Sequence, residues 1–297
     1  MASQSSQSDP RALLLSWLRR DAAPDAVAWL ENQLQALNQR AGNQKLFVAI
    51  GLASRRFARS ALQFDDADLA AAAGARPGWD PRGWSLADAA RILLLAELSR
   101  REPGFPKIFT DICRTADVSE SVAFYRGLPL YDRPGELEAQ AAEGARSNMQ
   151  VVFEAVAHRN PYPREQFDEQ RWNHMILKAL FIGSALAPVQ GLDERSNPRL
   201  AAMLLDYAHE RWAAGRTVSP ELWRCVGPFA DEAAMADFER LLDTGTTQER
   251  EAAILALSAS PDPAVKPLLD ANPDLARQAA SGALTWERVT SQSEPAQ

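Results

Sequence analysis

Asp206, His209, Glu210 and Trp212 fall in one short run, Asp206-Tyr207-Ala208-His209-Glu210-Arg211-Trp212. On a helix, Asp206 meets His209 and Glu210, which follow it by three and four residues. A carboxylate beside an imidazole can orient it and raise its pKa, as a general base requires. His209 and Asp206 are therefore the candidate catalytic pair. The competing reading is a polar cluster that pins two helices together, because buried polar networks commonly serve packing first. His209-Glu210 is not the start of a zinc HExxH motif, since the second ligand position holds Ala213. Nor do the intervals between His158, His174 and His209 match a local metal rule. No metal and no cofactor is expected.

Other residues of the same types cluster nearby. Trp172, Asn173 and His174 lie on one helical stretch, with Lys178 on the His174 face at i, i+4. The segment Gly191–Pro198 carries Asp193, Arg195 and Asn197. Arg195 and Arg216 could clamp a carboxylate or phosphate, although such arginines more often tie loops to helix ends. Asn197 before Pro198 is accounted for as a helix N-cap. Asn160, Tyr162, Asp168, Tyr207, Glu210 and Trp223 complete the set of ligand-binding candidates, with the aromatics more often core than pocket. If His158, His174, His209, Asp206, Tyr162 and Asn160 line one concave surface, ligand binding or catalysis is favoured. Scattered positions favour a scaffold.

The elements that must position these side chains are helices. Ala is abundant, while Val, Ile and Thr are sparse in most windows. Asp9-Pro10 opens a first helix and Ser85 caps a long one over Leu86–Arg101. Further helices are expected over Pro24–Arg40, about Gln44–Arg59, Asp65–Ala73, Phe105–Arg114, Ser119–Tyr125, Pro134–Ala145, Asn148–His158, Arg164–Phe181 and Pro198–Ala214. Asn160–Pro163 reads as a rigid extended loop, Gly74–Gly83 as irregular chain, and Gly215 as a helix C-cap. Short helices follow at Asp231–Leu242, Gln248–Leu257, Pro263–Leu269 and Pro273–Ala280, with a HEAT-like pattern around Pro261-Asp262-Pro263. The expected organisation is a disordered tail over 1–9, a helical domain over 10–229, a HEAT-like helical part over 230–288 and a flexible tail over 289–297. No hairpin or alternating strand stands out. The fold class is all-α, with antiparallel helix pairs stacked as a short solenoid or gathered as a compact multi-helix bundle.

Composition narrows the function classes. The 297 residues are 46% hydrophobic and 24% charged, ordinary for a globular protein. A net charge of -7 without a Lys/Arg-rich run gives nucleic acid no electrostatic footprint. Cys113 and Cys225 share no CxxC context, so they read as small buried hydrophobes in a reducing compartment. No apolar run reaches transmembrane length. The first apolar run is short and runs into Arg19 and Arg20, unlike a signal peptide, and a cytoplasmic protein is expected.

Several motifs together resemble the EboA family. They are Arg159-Asn160-Pro161-Tyr162-Pro163, Phe167-Asp168, Trp172-Asn173, Leu177–Phe181, Gly191-Leu192-Asp193 and, most specifically, Asp206–Arg216. Ser219–Arg224 and Gly227-Pro228-Phe229 close the series. The resemblance implies a helical metabolite traffic protein encoded with metabolic enzymes and linked to moving a secondary-metabolite precursor out of the cytoplasm. It implies no catalytic residues. Two readings follow. One is a scaffold or carrier whose partners are other proteins of the pathway or a small-molecule metabolite. The other is an enzyme of the same pathway that uses His209 and Asp206 as acid and base.

Overall fold

A computed structural model of the protein describes residues 9–38, 43–57 and 60–291. The described residues form helices joined by short connections, with no strand among them and one isolated bridge between Ala61 and Ser85. The fold is all-α, as expected. Two compact units are formed, one up to Arg171 and one from Trp172 onward.

The first unit holds α1 (Pro10–Asp21), α2 (Pro24–Asn38), α3 (Asn43–Arg56), α4 (Asp66–Ala75), α5 (Leu86–Arg101), α6 (Phe105–Thr115), α7 (Val118–Arg126), α8 (Glu138–Ala145), α9 (Gln150–Ala157) and α10 (Tyr162–Gln166). Its centre is α5, which packs against α1, α2, α3, α6 and α7. Thirteen of its sixteen residues are buried. A helix apolar on nearly every side is stable only when other helices surround it. That arrangement matches the bundle alternative, because in a solenoid each pair touches only its chain neighbours. Capping boxes start α4, α5 and α7, from Asp65, Ser85 and Asp117. In each, the cap side chain accepts from a backbone N–H while the third helical residue reaches back.

Two local expectations change. Asn160–Pro163 is a turn into a short helix rather than an extended loop. The Asn160 side chain accepts from the Tyr162 N–H, and Pro161 takes up the helical region as the cap of α10. The helix expected over Arg164–Phe181 is two helices, α10 and α11 (Glu169–Ile182). Phe167 is extended, and the Asp168 carboxylate accepts from the Arg171 N–H at 2.7 Å, so a fresh N-terminus forms there.

The second unit continues from within α11 through α12 (Pro198–Ala213), α13 (Trp223–Val226), α14 (Glu232–Thr244), α15 (Thr247–Ser258), α16 (Lys266–Ala271), α17 (Pro273–Ala280) and α18 (Trp286–Ser291). Here α15 is central, packing against α13, α14, α16, α17 and α18. Positions 229 and 230 lie inside this unit. The loop between α11 and α12 is held by the segment after it. The Glu221 carboxylate accepts from the Leu186 and Ala187 N–H groups at 3.0 and 2.7 Å, and Arg224 grips Asp193 with two hydrogen bonds of 2.6 and 2.7 Å. Residues 289–291, expected in a loose tail, belong to α18. Val289 is fully buried and its carbonyl accepts from Gln248. Residues 292–297, the tail over 1–8 and the expected helix end at Arg59 lie outside the described residues.

Candidate functional site

The first unit carries a cavity of about 380 Å³ that is open to solvent on one side. It is lined by the irregular segment before α5, the first turn of α5, the facing sides of α7 and α9, and the turn after α9. Ser119, Val122 and Arg126 follow one face of α7 at i, i+3 and i+7, and Val151, Glu154, Ala155 and His158 follow one face of α9 and its cap. Asp80, Arg82 and Trp84 come from the irregular segment, and Arg159 and Asn160 from the turn. α5 contributes Asp88, whose carboxylate accepts from the Ser85 N–H and from Arg126, each at 3.0 Å. Behind this wall, fully buried Arg91 donates to the Ile50 carbonyl at 3.2 Å and to the Ser119 hydroxyl at 2.7 Å.

The wall alternates charges, with the carboxylates sunk and the guanidinium groups nearer solvent. Asp80 accepts from Arg82 Nε at 2.8 Å, and Arg159 Nε stands 3.9 Å from the same carboxylate. Burial pushes the Asp80 carboxyl up, but hydrogen bonds from Arg82 and the charges of Arg82 and Arg159 more than offset this and hold it below the usual carboxylate range. A depressed carboxylate pKa adds stability that is present above the unfolded value and is lost as pH falls through the folded one. Asp80→Asn is therefore expected to lower the urea midpoint at pH 7. Variant and parent should converge as the pH falls below the usual carboxylate range. A gap independent of pH would refute the ionic account.

Of the residues singled out in the sequence, Asn160 and His158 line this cavity. Asn160 is buried and fully engaged, donating to the Tyr125 and Ala155 carbonyls and accepting from Tyr162 N–H, all at 3.0 Å. Tyr162 is buried too; its hydroxyl donates to the Pro134 carbonyl at 2.5 Å, and burial pushes its phenol pKa up. Asp168 is exposed and serves the start of α11.

The remaining candidates belong to the second unit. The carboxylate that meets the His209 imidazole is Asp237 on α14, at 2.7 Å, rather than exposed Asp206 on its own helix. The His209 ring lies 5.9 Å from Trp212. Trp212 stacks on Trp223 at 5.7 Å and carries the Arg240 guanidinium 4.2 Å from its ring centroid. Trp223 is fully buried and leans on Phe238. This is a chain of packed partners joining α12, α13 and α14. Arg195 lies over the Trp172 ring at 4.7 Å, and Arg216 is exposed. Asn173 and Asn197 exchange side-chain hydrogen bonds of 2.9 and 3.2 Å, which fastens α11 to the cap of α12. Tyr207 donates to the Leu180 carbonyl at 3.1 Å. His174 and Glu210 are exposed, and Asp193 is held by Arg224.

Sequence reasoning thus missed most of the cavity wall. The i, i+3, i+7 spacing of Ser119, Val122 and Arg126 was available, and so was the pair Trp79 and Trp84 flanking Asp80 and Arg82. Neither says what the side chains face. Among the described residues no group of three or more His, Cys, Asp or Glu is placed to hold a metal ion. Burial pushes both thiols, Cys113 and Cys225, up to about 12, which keeps them protonated near neutral pH. No described helix is long and apolar enough to cross a membrane.

Comparison with curated proteins and with solved structures finds no match. A family model described as metabolite traffic protein EboA matches residues 11–227, the greater part of the chain and all of the cavity wall, and the protein belongs to the EboA family.

Proposed function

We propose that this protein is a non-catalytic helical carrier that handles a secondary-metabolite precursor in the cytoplasm and hands it to other proteins of its pathway on the way to export. The observation that carries the reading is the cavity between α5, α7 and α9. Its volume of about 380 Å³ lies within the range typical of small-molecule sites, about 300–1,000 Å³. Its wall lies wholly within the stretch that the family model matches, and the family's description supports a traffic role. The helices over 230–288, read as HEAT-like, lie beyond that stretch, and we assign them to docking of pathway proteins.

The test is recovery of the tagged full chain from a producing cell under native conditions. Pathway proteins or a bound molecule of small-metabolite mass should come with it, as read by proteomics and native mass spectrometry. A clean monomer, free of both, overturns the carrier reading. One observation supports the enzymatic alternative: the half-exposed His209 imidazole sits on the Asp237 carboxylate at 2.7 Å. On the carrier reading, His209→Ala keeps the producing cell's export intact. Loss of export with an unchanged melting curve would move the assignment to acid–base chemistry.

A further inference from the structure

The charge balance of the cavity is uneven at one end. Asp80 is a single carboxylate facing two guanidinium groups. Arg82 takes it with hydrogen bonds. Arg159 stands at 3.9 Å and, among the described residues, makes that ion pair without any hydrogen bond. Arg159 is therefore held by no hydrogen-bonded carboxylate, and its side chain is 53% exposed with its donors free. The other carboxylates do not supply the balance there. Asp88 is taken by Arg126, and Glu154 accepts from the neutral Gln150 amide at 2.8 Å, while the ion pair of Arg159 is with Asp80.

The backbone under Arg159 is unusual as well. Its φ is 50°, in the left-handed region, where a side chain with a Cβ costs about 1–2 kcal/mol and glycine or asparagine is the ordinary choice. The turn is imposed from both sides. His158 closes α9 with its N–H on the Glu154 carbonyl, and Asn160 is clamped by three hydrogen bonds. Arginine thus occupies a strained position between two pinned residues, with its head on the cavity wall. Strain of this kind collects where a side chain is held for a ligand.

The rest of the wall differs in chemistry. Trp84, Val122 and Val151 supply apolar surface, and Val151 is 53% exposed at the mouth. The three guanidinium groups of the wall are matched by three carboxylates, Asp80, Asp88 and Glu154, so it offers no surplus of positive charge for a polyanion such as a nucleotide. Resting on the carrier reading, we infer that the cavity takes a small organic monocarboxylate with an apolar, ring-bearing body, its carboxylate on Arg159 and its ring against Trp84, Val122 and Val151.

Titration calorimetry of the full chain with 2-naphthoate and with its neutral twin 2-naphthamide tests this. The acid should bind at least about tenfold more tightly than the amide, the scale of one charge-assisted pairing. Arg159→Gln should erase that preference while leaving the chain folded, with only a small loss of melting temperature from the long ion pair to Asp80. Val151→Asp, at an exposed position, should weaken both probes. Inorganic phosphate at equal ionic strength should not displace the acid. Equal binding of acid and amide, or full acid affinity in the Arg159 variant, overturns the carboxylate inference and leaves the carrier reading standing. Insensitivity to Val151→Asp places binding elsewhere and overturns it too, as does absence of binding by both probes at millimolar concentration. The carrier reading itself is decided by the native recovery and His209→Ala export experiments, not by these titrations.

Discussion

Trp223→Ala is expected to destabilise the second unit by about 3–5 kcal/mol, the usual range for emptying a fully buried aromatic site. The indole is 0% exposed, stacked on Trp212 and packed against Phe238. It sits on α13, only four residues long and fixed on one side by α12 and on the other by α15, so the site has little freedom to collapse. Its indole N–H meets no hydrogen-bond partner among the described residues. Trp223→Phe gives up no hydrogen bond and should cost much less than the alanine variant. Urea denaturation followed by far-ultraviolet circular dichroism reads both. A loss under about 1 kcal/mol for the alanine variant would mean that the ring is not a packing anchor. That outcome would strengthen its candidacy as a ligand-facing residue.

Gly227→Ala should cost about 3 kcal/mol or more, at the upper end of overpacking effects, although its own backbone is ordinary, with φ -49°. The added Cβ would fall 2.2 Å from the Ala256 carbonyl oxygen and 2.5 Å from its carbon. Those atoms belong to the backbone of central α15, which cannot step aside as a side-chain tip can. Gly215 makes the contrast. It is left-handed at φ 67° with open space where a Cβ would go, so Gly215→Ala should cost only about 1–2 kcal/mol of backbone strain. A thermal melt of the two variants side by side separates steric from conformational demand. Equal losses would contradict the close approach of Gly227 to α15.

What could be read from the chain beforehand was local. Asp9, Ser85 and Asn197 stand at helix starts, each accepting from a backbone N–H as its residue type and neighbours suggest. Gly215 follows the end of α12 in the left-handed conformation that the glycine foretold. Periodicity located the long helices because an apolar stripe records its own burial. It did not foresee the break at Phe167-Asp168, where Asp168 offers a new cap inside an otherwise continuous helical pattern. Nor did it pair His209 correctly. Helical spacing sees Asp206 three residues back, whereas Asp237 arrives from another helix 28 residues on. The cavity was hidden for the same reason. Its charged residues come from an irregular segment, three helices and a turn, and no spacing rule links Asp80 to Arg159.

An ordinary surface helix knows which way to face because one side is wet. α5 has almost no wet side, so turning it about its axis would exchange one greasy surface for another at small cost in burial. Its rotational setting must come from elsewhere, and three polar side chains supply it. Asp88 is keyed to Arg126, Arg91 to the Ile50 carbonyl and Ser119, and Ser99 to the Asp132 N–H. A buried hydrogen bond left unmade is expensive, so the locks bite at one angle only. Two of the three keys, Asp88 and Arg91, also end at the cavity wall. The angle at which the bundle's axle is seated therefore sets the shape of the chamber beside it.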